Sequence, residues 1–143
     1  MLRDVGTSGK QLLIVDDDKH SREGYQMYLS GAGFDVEALG GGIDAIEFAR
    51  NSSPDLVVLD LGLPDVDGWE VARRLKSDEH TRDIPIIAFS GRSMQHEQVS
   101  ALRAGCDVYL TKPCAPAALL GAIRKLLGLA DAASSEAHPP DPY

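Results

Sequence analysis

The chain has 143 residues, 43% of them apolar, and carries a formal net charge of −8 from 22 acidic against 14 basic side chains. That size and apolar content suit one folded domain, and they leave little room for a second core or for wholesale disorder. The acidic balance, with no basic block, excludes a protein that grips nucleic acid phosphates, and part of the acidity can be carboxylates gathered around a cation. Cys106 and Cys114 make neither a disulfide framework nor a zinc pattern. Both read as core or near-surface residues. The N-terminal stretch lacks the apolar region of a signal peptide, and no apolar run approaches the ~20 residues of a spanning helix. A cytoplasmic location is the expectation.

Residues 1–9 read as a flexible leader. The first apolar run, Leu12 to Val15, is unbroken by polar residues, as in a strand covered on both faces. Lys19 to Ser30 follows as a helix with Tyr25, Met27, Tyr28 and Leu29 near one side, stopped by Gly31-Ala-Gly33. A weaker strand runs from Phe34 to Leu39. The next helix, Ile43 to Arg50, carries Ile43, Ile46, Phe48 and Ala49 and ends at Ser53-Pro54. Leu56 to Leu59 is the most apolar strand. Asp67 and Glu70 have the spacing of a capping box that opens a helix to about Lys76. Ile84 to Phe89 is a fourth strand, Ser93 caps a fourth helix over residues 94–104, and Gly105 closes it. Val108 to Leu110 is the fifth strand, and Pro116 sits at the first turn of a fifth helix ending near Gly128. Ala, Ser, Pro and acidic residues then predict a disordered tail over residues 129–143.

Strand followed by helix, five times, implies right-handed crossovers and a doubly wound parallel sheet over residues 10–128. In such a sheet ligands bind beyond the carboxyl ends of the strands. Those ends carry Asp16-Asp17-Asp18, Asp60, Ser90-Gly91 and Thr111-Lys112-Pro113. Crowded carboxylates either rise in pKa or recruit a cation. Oxygen ligands without His or Cys select Mg²⁺, Mn²⁺ or Ca²⁺, and two or three carboxylates with waters match Mg²⁺ best. Lys112 supplies a point charge for a phosphate oxygen, and Ser90 a hydroxyl donor. Asp60, ending the most apolar strand, is the candidate nucleophile, and its attack on a phosphoryl group gives an acyl phosphate.

The run Leu13-Ile-Val-Asp16-Asp17, then Leu59-Asp60-Leu-Gly-Leu-Pro64-Asp-Val-Asp-Gly68, Ala88-Phe-Ser90-Gly91 and Tyr109-Leu-Thr-Lys112-Pro113, resembles the receiver domain of two-component response regulators over residues 12–127. The resemblance implies a flavodoxin-like sheet of order 2-1-3-4-5. It implies Asp60 as phosphoacceptor, Asp17 as a metal ligand, Asp16 as a ligand directly or through water, and the Gly62 carbonyl as a further one. Ser90 and Lys112 carry over as phosphoryl-sensing residues and Tyr109 as an aromatic switch. A histidine kinase or histidine phosphotransfer protein is the implied donor, and the fourth helix, fifth strand and fifth helix the implied output face. Ser90 stands where threonine is commoner, Gly62 has no side chain to shield the phosphoryl group, and Cys114 stands where phenylalanine is frequent, which loosens the loop.

Other roles compete for several of these residues. Asp18 suits a helix N-terminus, Asp65 and Asp67 suit turn and cap roles, and Tyr109 suits core packing. Ser90 could merely start a loop, and Lys112 could be a surface lysine. His20, His80, His96 and His138 read as solvated, and Trp69 as packing at its helix start. A phosphatase with an aspartate nucleophile would carry a second carboxylate two residues on, where Gly62 stands. A flavodoxin-like cofactor binder would carry a phosphate loop after the first strand. The surviving functional readings are a non-enzymatic phosphoacceptor, a phosphorylation-independent pseudo-receiver, and the receiver part of a hybrid kinase or larger regulator. Met1 and the tail favour a stand-alone module, monomeric or dimerising on phosphorylation.

Overall fold

The structure, a computed structural model, describes residues 9–91 and 102–129. Five strands, β1 (Gln11–Val15), β2 (Asp35–Leu39), β3 (Leu56–Asp60), β4 (Ile86–Ser90) and β5 (Val108–Thr111), form one parallel sheet of order β2-β1-β3-β4-β5. This is the predicted flavodoxin-like topology. The helices are α1 (Lys19–Gly31), α2 (Gly42–Ser52), α3 (Gly68–Ser77) and α4 (Pro116–Leu126), so α4 is the helix predicted fifth. Most of the helix predicted over residues 94–104 lies outside the described residues, as do the leader and tail. Among the described residues no helix is long and apolar enough to cross a membrane.

The unbroken apolar strands are explained by two cores. Leu13, Val15, Val57, Leu59, Ile86 and Ala88 face one side of the sheet, with Ala45, Ala49, Val71 and Leu75 from α2 and α3. Leu12, Ile14, Val58, Ile87 and Phe89 face the other, with Leu29, Leu119 and Ile123 from α1 and α4. Each of the buried Val, Leu, Ile and Phe side chains contributes about 1.5–3 kcal/mol, so the three central strands are held rigidly from both faces.

Besides shifts of one or two residues at element ends, four features differ from the sequence reading for physical reasons. In α1, Leu29 is buried and Tyr25, four residues earlier, half-buried. Met27 is 76% exposed and Tyr28 40%, because 3.6-residue periodicity rotates them off the Tyr25–Leu29 stripe. In α2, the small residues Ala45 and Ala49 lie against the core and Ile43 is 56% exposed. Strand β4 begins at Ile86 rather than Ile84, since Pro85 has no N–H for a ladder, although its carbonyl accepts from Val57 N at 3.0 Å. At α3, Asp67 is the N-cap, accepting from Trp69 N at 3.0 Å. Glu70 does not reach back to complete a capping box; it pairs instead with Arg73 and Arg74, both at 3.0 Å.

Candidate functional site

Asp60 is the last residue of β3 and Asp16 directly follows β1, its neighbour in the sheet, so parallel pairing brings the two carboxylates to one edge. Both are buried, Asp16 2% and Asp60 8% exposed. Lys112, just past β5, reaches across to both: its Nζ donates to Asp16 Oδ2 at 2.9 Å and to Asp60 Oδ2 at 3.1 Å. Asp17 is exposed, yet it offers a carboxylate oxygen within 4.8 Å of those of Asp16 and Asp60. A set of carboxylate oxygens alone, with no imidazole or thiolate, suits a hard divalent cation.

Each buried group has its second oxygen or its backbone fixed. Asp60 Oδ1 accepts from Gly62 N at 2.8 Å, and Asp16 Oδ1 from Asp18 N at 2.9 Å. Arg22 Nη1 donates to the Asp16 carbonyl at 2.8 Å, a support absent from the sequence reading. Lys112 N donates to Ser90 O at 2.7 Å, which ties the lysine to the end of β4. Gly68 packs so tightly on the chain after Asp60 that a β-carbon there would lie 2.5 Å from Leu61 Cα, and this close approach fixes the path of the loop.

Burial raises the pKa of Asp60, outweighing the Gly62 amide and the Lys112 charge. Burial also pushes Asp16 upward, but the hydrogen bond from Lys112, helped by Asp18 N and Ser21, leaves it below the usual carboxylate value. Burial works against the Lys112 ammonium, yet the bond to Asp16 and the Asp60 charge hold its pKa above normal. Lys112 is thus held as an ammonium and Asp16 as a carboxylate, while burial works against charge on Asp60, beside the exposed Asp17.

In front of Asp60 lies a cleft of about 520 Å³, lined among others by Gly62, Asp67, Trp69, Ser90 and Gly91. Ser90 ends β4 and is buried; Gly91 has open space beside it. Thus the structure gathers Asp16, Asp17, Asp60, Gly62, Ser90 and Lys112 at one edge. Tyr109, in mid-β5, is half-buried and packs against the α2–α3 side core. Asp18 caps α1 through His20 N at 3.2 Å. Asp65 caps a helix other than its own: its carboxylate accepts from Gly42 N and Ile43 N of α2 at 2.9 and 3.1 Å, which pulls it below its ordinary pKa. Glycine at the α2 N-cap, with no side chain to give, was the available signal for that missing partner. His20 and His80 are exposed; His96 and His138 lie outside the described residues.

This fold and edge define a receiver domain. The chain matches the response regulator receiver domain family over residues 12–124 and belongs to it. It is a domain of two-component signalling, and its aspartate-rich cleft fits phosphorylation. Among curated relatives, response regulator MprA of Mycobacterium sp. (strain KMS) is 42% identical over 117 residues, covering 82% of this chain and 50% of that protein. MprA of Mycobacterium leprae is likewise 42% identical with the same coverage. The chain thus spans about half the length of the curated relatives it matches. The receiver domain of sensor histidine kinase PA1611 from Pseudomonas aeruginosa PAO1, solved with magnesium coordinated in its active-site cleft, is similar at TM-score 0.79 and 29% identity, covering 85% of this chain and 99% of that one. A LuxR-family two-component response regulator from Aurantimonas sp. SI85-9A1 is similar at TM-score 0.77 and 31% identity, covering 85% and 86%.

Proposed function

We propose that Asp60 is the phosphoacceptor of this receiver, charged by a histidine kinase or a histidine phosphotransfer protein in the cytoplasm. The observation that carries the reading is the Lys112 ammonium shared between two buried carboxylates, of which Asp60 lines an open cleft. In this reading a carboxylate oxygen of Asp60 attacks phosphorus, and the bond from phosphorus to the donor's imidazole nitrogen breaks. The electron pair leaves with the imidazole, and Asp60 becomes an acyl phosphate. Lys112 then exchanges a carboxylate oxygen for a phosphoryl oxygen, and Ser90 donates its hydroxyl to another. Asp16, Asp17, Asp60 and the Gly62 carbonyl would hold Mg²⁺, or Mn²⁺ in its place, which supplies positive charge for the phosphoryl oxygens. The similar PA1611 domain, with its magnesium, supports that choice.

The chain's own chemistry is limited to accepting this group and assisting its loss. The added negative charge, roughly 1.5 to 2 units, falls among existing carboxylates and draws Ser90 and Lys112 toward it. Tyr109, on the same strand as the lysine's approach, is the switch that relays this to the face of residues 94–104, β5 and α4. That face would engage a downstream protein or a second phosphorylated copy rather than DNA or membrane.

The test is intact mass after incubation with acetyl phosphate, with and without Mg²⁺, for the wild type and Asp60→Asn. A phosphoryl-sized gain requiring both Mg²⁺ and Asp60 is expected. If a kinase donor also produces no Asp60-dependent gain, the module is a phosphorylation-independent pseudo-receiver instead.

A further inference from the structure

Lys112 must hold a flexible four-carbon side chain over two carboxylates, yet the chain that follows it offers little to fix it. Pro113 has no N–H, and the N-cap of α4, Ala115, makes no side-chain cap. The segment between the end of β5 and the first turn of α4 is therefore short of backbone partners. Tyr25 meets that need from α1, 89 positions away in sequence. Its hydroxyl donates to the Cys114 carbonyl at 2.7 Å. Its ring packs on Phe89, with centroids 5.4 Å apart and planes tilted by 57°. The Lys112 ammonium stands over the same Phe89 ring, 5.4 Å from its centroid.

We propose that Tyr25 is the positioning residue for Lys112: it holds both the chain after the lysine and the aromatic ring beneath its ammonium. The proposal rests on the phosphoacceptor reading of Asp60. The lysine is then braced on three sides. Its own amide is bonded to Ser90 O, its ammonium lies over Phe89, and the carbonyl two residues on is tied to α1. Removing the hydroxyl leaves that carbonyl with water as its partner and lets the loop drift. A displacement of about 1 Å at the ammonium is enough to weaken a contact with a phosphoryl oxygen severely. Asp16 Oδ1 is held instead by Asp18 N, and Asp17 lies in the same stretch between β1 and α1, away from the Cys114 carbonyl, so cation binding does not depend on the tether. The contact also answers the expectation that Cys114 leaves the loop loose, since its carbonyl is held whatever its side chain.

Burial raises the Tyr25 pKa above the ordinary phenol value, which keeps the hydroxyl a donor throughout the working pH range.

Tyr25→Phe removes the donor and keeps the ring on Phe89. The probes are Mg²⁺ alone, and beryllofluoride with Mg²⁺ as a non-covalent phosphoryl mimic, both followed by the fluorescence of Trp69, which lines the cleft. Tyr25→Phe should weaken beryllofluoride binding about three- to ten-fold, the scale of one lost hydrogen bond, with Mg²⁺ affinity unchanged. In a Lys112→Ala background the same substitution should change beryllofluoride binding by less than about two-fold, because nothing is left to position. Equal weakening of Mg²⁺ and beryllofluoride, an equal effect in both backgrounds, or no effect at all would overturn the proposal. A wild type whose fluorescence does not respond to beryllofluoride, or responds equally in Asp60→Asn, would instead overturn the phosphoacceptor reading and this proposal with it.

Discussion

The two edges of the sheet use the same residue types to opposite ends. At the amino edge, Asp55 accepts from Gln11 N at 2.7 Å and Asp107 from Ile86 N at 2.8 Å, so each carboxylate closes the start of a neighbouring strand. Lys76 completes that edge, donating to the carbonyls of Ile84 and Arg82 at 2.7 and 3.2 Å and lying 3.5 Å from Asp107. At the carboxyl edge, Asp16 and Asp60 share one ammonium, and Asp60 lines an open cleft. Aspartate and lysine on strand ends are thus not in themselves signs of chemistry. The difference lies in the partners: backbone groups satisfy the first edge, while the second concentrates mutually repelling charge that a raised carboxylate pKa or a further cation relieves.

The largest separation between the edges should come from deleting their lysines. Lys112→Ala leaves two buried carboxylates facing each other, and in divalent-free buffer it should cost about 1–3 kcal/mol of stability, a range discounted for partial solvent access. Saturating Mg²⁺ should restore most of that loss, while phosphorylation of Asp60 slows at least about ten-fold, or ~1.4 kcal/mol of barrier. Lys76→Ala should cost about 1–2 kcal/mol from its lost carbonyl partners, with no recovery on adding Mg²⁺ and an unchanged phosphorylation rate. Urea titrations of both variants with and without Mg²⁺ check this. A Mg²⁺ rescue of Lys76→Ala, or none for Lys112→Ala, would erase the distinction between the edges.

The carboxyl edge was legible in the sequence because it depends on order and strand ends. Once five apolar runs are placed in a parallel sheet, Asp16, Asp60, Ser90 and Lys112 fall together whatever their separations in the chain. What sequence could not supply was which face each helix presents and which distant groups complete the edges. Met27 and Leu29 are equally apolar on paper, but only Leu29 falls on the stripe facing the sheet. Asp65 lies five residues beyond Asp60 and caps α2, a contact set by the closeness of two loops rather than by any local pattern. The hydrogen-bonding roles of Tyr25 and Arg22 were invisible for the same reason: each acts on a backbone carbonyl, and a carbonyl leaves no mark in a sequence. The amino edge was not anticipated at all, since Asp55 and Asp107 resemble ordinary loop residues until the strand starts they close are known.

Smaller in effect is the removal of one amino-edge carboxylate. Asp107→Ala strips the Ile86 amide of its partner and should lower stability by about 1–2 kcal/mol, with phosphorylation of Asp60 at the wild-type rate. Asp55→Ala should behave alike through Gln11. Chemical denaturation combined with acetyl phosphate labelling reads both quantities. A slowed labelling rate in either variant would mean that strain at one edge of the sheet reaches the other, and the two edges would then be one coupled unit.

The cysteines mark the same two edges and give the mildest test, near neutral pH. Cys106, 4% exposed just before β5, has its thiol pushed up to about 12 by burial, with the Asp107 charge adding to the shift against Lys76. Cys114, half-buried after β5, is also raised by burial. A thiol reagent at neutral pH should therefore modify Cys114 in the folded protein and Cys106 only after unfolding. The sign of the linkage follows from the proton. Folded Cys106 holds its proton more tightly than the unfolded chain, whose value is near 9.0. Its contribution to stability is complete below that pH and is lost as the pH climbs toward 12. Cys106→Ala removes the titrating group, so the stability difference between wild type and variant should shrink over that alkaline window and stay constant below it. A difference that widens instead would place the Cys106 thiol in a polar setting, and the amino edge would no longer be the closed side of the sheet.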